Sequence, residues 1–193
     1  MSVKVRHNPN PTHRLLNIYH NANPASVAEG LAWYESAHAI AACWADGTPY
    51  TVRQVIGVIA ALSPRLHWAR NLKVAAIVLK AHAQGRSVAE ARVATGCFLQ
   101  RIVAAYRILD GIDEYPAGIK VQTFARAIEG DETNVVLDVW AFRAAISTKH
   151  DGAYTADEWR VTRDAFLKAA ELAHVTPRQF QAVVWVAVRG RAS

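Results

Sequence analysis

The segment Tyr115-Pro-Ala-Gly-Ile-Lys-Val-Gln-Thr-Phe-Ala-Arg-Ala-Ile128, continued by Glu129-Gly-Asp-Glu-Thr-Asn-Val-Val-Leu-Asp-Val-Trp-Ala-Phe-Arg-Ala-Ala145, decides how this chain is read. Residues Ile112 to Gly118 carry Pro116 and turn-forming residues, so they read as a tight connection, after which Ile119 to Ile128 resumes helical periodicity and stops at Gly130-Asp131. Val135-Val136-Leu137 is a brief extended run, and Asp138 caps a helix to about Ile146. The order is helix, glycine-bearing hairpin, helix, then a loop that presents one carboxylate at the next helix start. Such a hairpin exposes backbone N–H groups at a helix N-terminus, where unpaired donors and the dipole suit a phosphate.

Outward from this segment the helical period continues in both directions, and strand-type alternation is scarce. Asn23-Pro24 starts a surface helix running to Trp44. Thr51 to Leu62 is apolar on nearly every face, which predicts a central buried helix, and Ser63-Pro64 stops it because the residue before proline is pushed out of the α region. Further helices are expected from His67 to Gln84, Ser87 to Ala94 and Phe98 to Leu109. Thr155 with Glu158 forms a capping box for a helix to about His174, and Thr176-Pro177 starts the last one, with Phe180, Val183, Val184 and Val188 on its apolar side. The fold class is therefore all-α.

The chain has 193 residues, of which 52% are apolar, and 22 Lys+Arg against 16 Asp+Glu leave a net charge of +6. That length supports one full core, or two small lobes that share one. The longest apolar run, Val55 to Leu62, is far short of the roughly 20 residues that span a bilayer. No apolar leader is visible at the N-terminus, so the expected location is the cytoplasm. Cys43 and Cys97 lie in apolar surroundings and cannot by themselves supply a four-thiolate iron–sulfur cluster. The eight histidines show no metal-binding spacing, and neither a Ser-His-Asp pattern nor a glycine-rich nucleotide loop is present. The modest basic excess is compatible with a polyanionic partner.

The hairpin and the loop after it resemble the helix-hairpin-helix DNA glycosylases of the endonuclease III superfamily. In that family the hairpin reads like L-P-G-V-G-R-K-T-A and the catalytic loop V-D-T-H-V-x-R. Pro116-Ala-Gly118-Ile-Lys120 falls on the hairpin, Leu137-Asp-Val-Trp-Ala-Phe-Arg143 falls on the loop, and the 18-residue interval from Lys120 to Asp138 matches. Upstream, Val55-Ile-Gly-Val-Ile-Ala-Ala-Leu-Ser-Pro64 is similar to the family's buried helix leading into L-S-x-Q, with Arg65 where those enzymes carry a base-wedge glutamine. Pro116 stands for the first hairpin glycine and Trp140 for the family's histidine, and the C-terminal cysteine cluster is absent. The wording Ala-Leu-Ser-Pro, Trp68-Ala-Arg-Asn71, Gly-Ile-Lys and Asp-Val-Trp-Ala-Phe-Arg looks like the divergent bacteriophage branch, some members of which are associated with modified pyrimidines.

The resemblance implies a two-lobed helix-hairpin-helix glycosylase-like fold, with a helical core lobe at about 50–147, the hairpin at 112–120, and flanking helices from 1–49 and 148–193 completing the second lobe. It implies double-stranded DNA as partner, with a monovalent cation able to bind the hairpin carbonyls, while the missing cysteine cluster and the short apolar runs lead to the expectation of no iron–sulfur cluster and no membrane. Asp138 would place its carboxylate near the sugar C1′ as positive charge develops there; a plain helix N-cap, worth about 1 kcal/mol, is its other reading, and the two can coexist. Lys120 would attack C1′ as an amine, or contact a phosphate. Pro116, Gly118, Ile119, Arg65, Arg126 and Arg143 are candidates for gripping DNA, although single surface arginines are commonly just solvated. Leu66, His67 and Trp68 could fill the hole left by an extruded base or pack under their loop, with Asn71 capping or orienting it. Trp140 could stack on the base or lie buried. Cleavage of a base N-glycosidic bond, with or without lyase action, is the expected chemistry. The alternatives are modification of a flipped base and a non-catalytic DNA-binding or host-interaction protein.

Overall fold

The computed structural model describes residues 10–190, which form ten α-helices and no strand. The all-α expectation holds. The helices are α1 (Pro11–His20), α2 (Pro24–Ala45), α3 (Val52–Leu62), α4 (Trp68–Ala83), α5 (Val88–Thr95), α6 (Leu99–Leu109), α7 (Ile119–Glu129), α8 (Val139–Ala145), α9 (Ala156–Leu172) and α10 (Pro177–Arg189). They divide into two compact units, one holding the described residues 10–34 and 131–190, the other residues 35–130. The division falls inside α2, between Tyr34 and Glu35.

In the unit drawn from both ends of the chain, α1, α8, α9 and α10 enclose Leu15, Val135, Leu137, Phe142, Phe166, Phe180 and Val184, all buried. Phe180 stacks on Tyr19 at 4.8 Å between ring centroids, and Phe142 stacks at the same distance on both His150 and Tyr154. Arg14 on α1 donates from Nη2 to the carbonyl of Arg143 at 3.0 Å, tying the first helix to the end of α8. The extended run 135–137 pairs with no strand; Val135 and Leu137 join this core instead. For that reason the boundary differs from the expected lobe at 50–147: residues 131–147 pack with the chain's two ends, and the middle unit stops at Gly130.

The middle unit is built on α3. Every residue from Val55 to Leu62 is buried, and the helix packs against α4, α6 and α7, as its all-round apolar sequence requires. Thr51 and Gln54 close a capping box at its start. The helix ends at Leu62 as expected, but not because the residue before proline leaves the α region. Ser63 keeps helical angles (φ −62, ψ −32) despite the following proline, and its N–H and hydroxyl both donate to the Ala60 carbonyl. Arg65, in the turn that follows, lies in the left-handed region at φ 60.

Capping boxes also open α5 (Ser87 with Glu90), α9 (Thr155 with Glu158) and α10 (Thr176 with Gln179). At α9 the Thr155 hydroxyl accepts from the Glu158 N–H at 3.1 Å, while Glu158 Oε2 accepts from the Thr155 N–H at 2.8 Å. Thr155→Ala removes half of that reciprocal pair and is expected to cost about 1 kcal/mol in urea unfolding, read as a shift in midpoint at constant m-value.

Candidate functional site

Asp138 is the best-held polar side chain of the sequence-predicted set. As N-cap of α8, its Oδ1 accepts from the Trp140 and Ala141 N–H groups, both at 2.9 Å. Its Oδ2 accepts from Trp185 Nε1 of α10 at 3.0 Å. The carboxylate is half-buried and receives three N–H bonds, so both the cap reading and a fixed anionic group are served by one geometry. Trp140, also half-buried, lies under the Arg143 guanidinium at 4.8 Å. Arg143 itself donates from Nε to the His150 carbonyl at 2.9 Å, which stitches α8 to the loop after it rather than leaving the side chain extended toward solvent.

Around the same carboxylate the structure adds side chains the sequence reading did not select. Trp185 meets Trp33 of α2 edge-on at 5.7 Å, and Arg189 lies 4.7 Å over the Trp185 ring. Tyr34 donates to Gln181 Oε1 at 2.8 Å. Burial, and then the negative charge of Asp138, push the Tyr34 phenol well above its ordinary value, with Arg178 opposing. Arg178, Gln181, Trp185 and Arg189 recur at intervals of three, four and four along α10. The spacing is helical, but nothing in the sequence marks these residues as facing Asp138.

The hairpin belongs to the middle unit. Pro116 is buried, so its ring packs inward, while Gly118, Ile119 and Lys120 are exposed at the start of α7. Gly118 takes φ 101, a backbone conformation that side-chain-bearing residues avoid, and no side chain caps the helix there. Among the described residues Lys120 makes no ion pair. Arg107 and Arg53 hold the loop in place. Arg107 donates from Nε and Nη2 to the two oxygens of Asp113 at 2.7 and 2.9 Å, and this bonding keeps the Asp113 carboxyl below its usual range. A depressed carboxyl favours the folded loop above the ordinary carboxylate range and loses that contribution only as pH falls through the lowered value. Arg53 pairs with Glu114 and, at 3.0 Å from Nε, with Glu129, whose other oxygen accepts from the Tyr115 hydroxyl at 2.6 Å. Arg126 is exposed and lies 5.3 Å over the Tyr115 ring.

The turn between α3 and α4 is in the same unit as the hairpin. Arg65 and His67 are exposed, and Leu66 and Trp68 are half-buried. Arg101 of α6 donates to the Pro64 carbonyl, and Arg70 of α4 to the Thr95 carbonyl at 2.9 Å, so the turn is tied to α6 and the start of α4 to the end of α5. Asn71 corrects the sequence reading: it is buried, and its Nδ2 donates to the Ile59 carbonyl at 3.1 Å, which pins α4 to α3 instead of capping the loop. Asp138, Trp140 and Arg143 therefore gather in the unit made from the two ends. Lys120, Pro116, Gly118, Ile119, Arg126 and the residues of the 65–71 turn lie in the other.

Among the described residues no group of three or more His, Cys, Asp or Glu side chains is placed to hold a metal ion, and no helix is long and apolar enough to cross a membrane. The family described as "Family of unknown function (DUF7178)" matches residues 3–192, and the chain belongs to it. No curated protein and no solved structure matches the chain.

Proposed function

We propose that this protein is a DNA-binding, base-flipping enzyme of helix-hairpin-helix glycosylase type that cleaves a base N-glycosidic bond. The observation that carries the reading is Asp138, a half-buried carboxylate fixed by three N–H donors at a helix start, 18 residues after the exposed hairpin lysine. The division of the chain into a middle unit and a unit drawn from both ends supports a two-lobed arrangement. Resemblance of the hairpin and the Asp138 loop to that superfamily supplies the rest. Double-stranded DNA is the partner and the cytoplasm the place of action.

In this reading the C1′–N bond of an everted nucleotide breaks and the base departs with the bonding pair. Asp138 offsets the positive charge left on the sugar. Water, or the Lys120 amine, then takes the base's place at C1′. When Lys120 attacks the open-chain aldehyde of an abasic site, water is lost and an imine joins enzyme to DNA. The exposed N–H groups at the start of α7, behind Gly118, are set to receive a phosphate. A monovalent cation held by main-chain oxygens of the hairpin belongs to this reading through the resemblance.

Borohydride delivers hydride to such an imine and fixes it as a secondary amine. Incubation with an abasic duplex and borohydride is expected to give a covalent adduct on a denaturing gel, and Lys120→Ala is expected to abolish it. Absence of an adduct, together with no base released from normal or modified DNA, would leave only a DNA-binding protein. Incorporation of a small molecule into DNA without loss of the base would identify a base-modifying enzyme instead.

A further inference from the structure

We propose that Trp185 is a positioning residue that fixes the plane of the Asp138 carboxylate through its indole N–H, an inference that rests on the reading of Asp138 as the group facing C1′. A helix cap alone does not define that plane. The terminal torsion of an aspartate is broad and roughly two-fold, and the cap bonds from Trp140 and Ala141 both fall on Oδ1. The remaining oxygen is specified by one donor, Trp185 Nε1 at 3.0 Å.

That donor is itself held from several sides. Trp33 meets the indole edge-on at 5.7 Å, and Arg189 covers the ring at 4.7 Å. One turn before Trp33, Gly30 brings the backbone of α2 against that of α10, since a Cβ at Gly30 would lie 2.5 Å from Val183 Cα. Tyr34, on the same helix, bonds Gln181 one turn before Trp185. The indole therefore has little freedom to turn away from Asp138. An indole N–H drawn away from water takes an acceptor in any packing role; what distinguishes this one is that its acceptor is the oxygen the cap leaves free.

Two measurements test this, one of them independent of activity. In protein labelled with 15N at the indoles, the signal lost in Trp185→Phe is expected to be the one displaced most in Asp138→Asn, and in the unsubstituted protein that indole proton should show a cross-peak to the Asp138 β protons. In single-turnover release of free base from duplexes carrying normal or modified bases, Trp185→Phe keeps the ring but removes the donor. It is expected to slow base release at saturating duplex about tenfold, the worth of one hydrogen bond to a charged group, with duplex affinity unchanged. A Trp185 signal that ignores Asp138→Asn and lacks the cross-peak, or a release rate equal to that of the unsubstituted protein, overturns the proposal. Should Trp185→Phe fail to fold, the cross-peak in the unsubstituted protein decides. A wild-type chain that neither releases a base nor traps an adduct overturns the functional reading, and the indole signals alone then decide whether Trp185 fixes Asp138.

Discussion

Asp138→Asn is expected to lower base excision at least about a hundredfold while leaving a folded protein. The two halves of that expectation come from different atoms. Asparagine is as good an N-cap as aspartate, so its carbonyl oxygen can keep the bonds from Trp140 and Ala141. The amide nitrogen then confronts Trp185 Nε1, donor against donor, and the negative charge is gone. Asp138→Ala goes further, removing the cap and leaving the indole N–H without an acceptor, and should cost about 2–3 kcal/mol of stability in addition to the activity. Release of free base measured by chromatography, with thermal melting recorded on the same samples, separates the effects. Excision that survives both substitutions would reduce Asp138 to a helix cap and remove the chemical role proposed for it.

Gly30→Ala is expected to be the most damaging change to stability for its size. Alanine is the better helix former by about 1 kcal/mol, so in an exposed helix the substitution would stabilise. Here the added methyl would lie 2.5 Å from Val183 Cα and 2.7 Å from Val183 N, main-chain atoms that no rotamer change can move aside. The two helices must separate, which opens the packing around Val183 and Val184 and draws Trp33 away from Trp185. The overpacking penalty, about 3 kcal/mol or somewhat more, outweighs the propensity gain. A net loss of about 2–3 kcal/mol corresponds to roughly 5–10 °C in Tm for a chain of this size. Gly57→Ala provides the contrast within the other unit. Its Cβ would meet the Ile108 side chain, Cγ2 at 3.0 Å, which can yield, so its effect should be smaller. Calorimetric melting of the two variants side by side checks the ordering, and equal Tm values would mean that α2 and α10 are not in rigid backbone contact.

These cases show what periodicity conveys and what it leaves out. The burial of α3 followed from an apolar sequence on every face, and the caps at Thr155, Thr176 and Asp138 followed from local chemistry that needs no tertiary knowledge. Gly30 carries no such signal, because a glycine within a helix acquires meaning only when the opposing backbone is known. The same holds for Asn71, whose polarity suggested a loop role but whose partner is a carbonyl on a neighbouring helix. Trp185 was hidden for a related reason: tryptophan on an amphipathic helix reads as packing, and only the position of its nitrogen distinguishes it. By contrast α1 has a local signal, since Asn10-Pro11 repeats the start signal of Asn23-Pro24 and the Asn10 side chain accepts from the His13 N–H. At Ser63 a local rule was overridden, as two bonds to Ala60 hold the residue helical in front of proline.

The discontinuous unit also sets an order of events during vectorial synthesis. Helix α1 is translated well before its partners α8, α9 and α10, and the Arg14–Ile146 bond alone joins residues 132 apart. Contacts of that separation carry a large loop-closure cost. The contiguous stretch 35–130 is complete before them, so nascent chains should acquire protease resistance there first, with α1 left undocked until α8, α9 and α10 have been made.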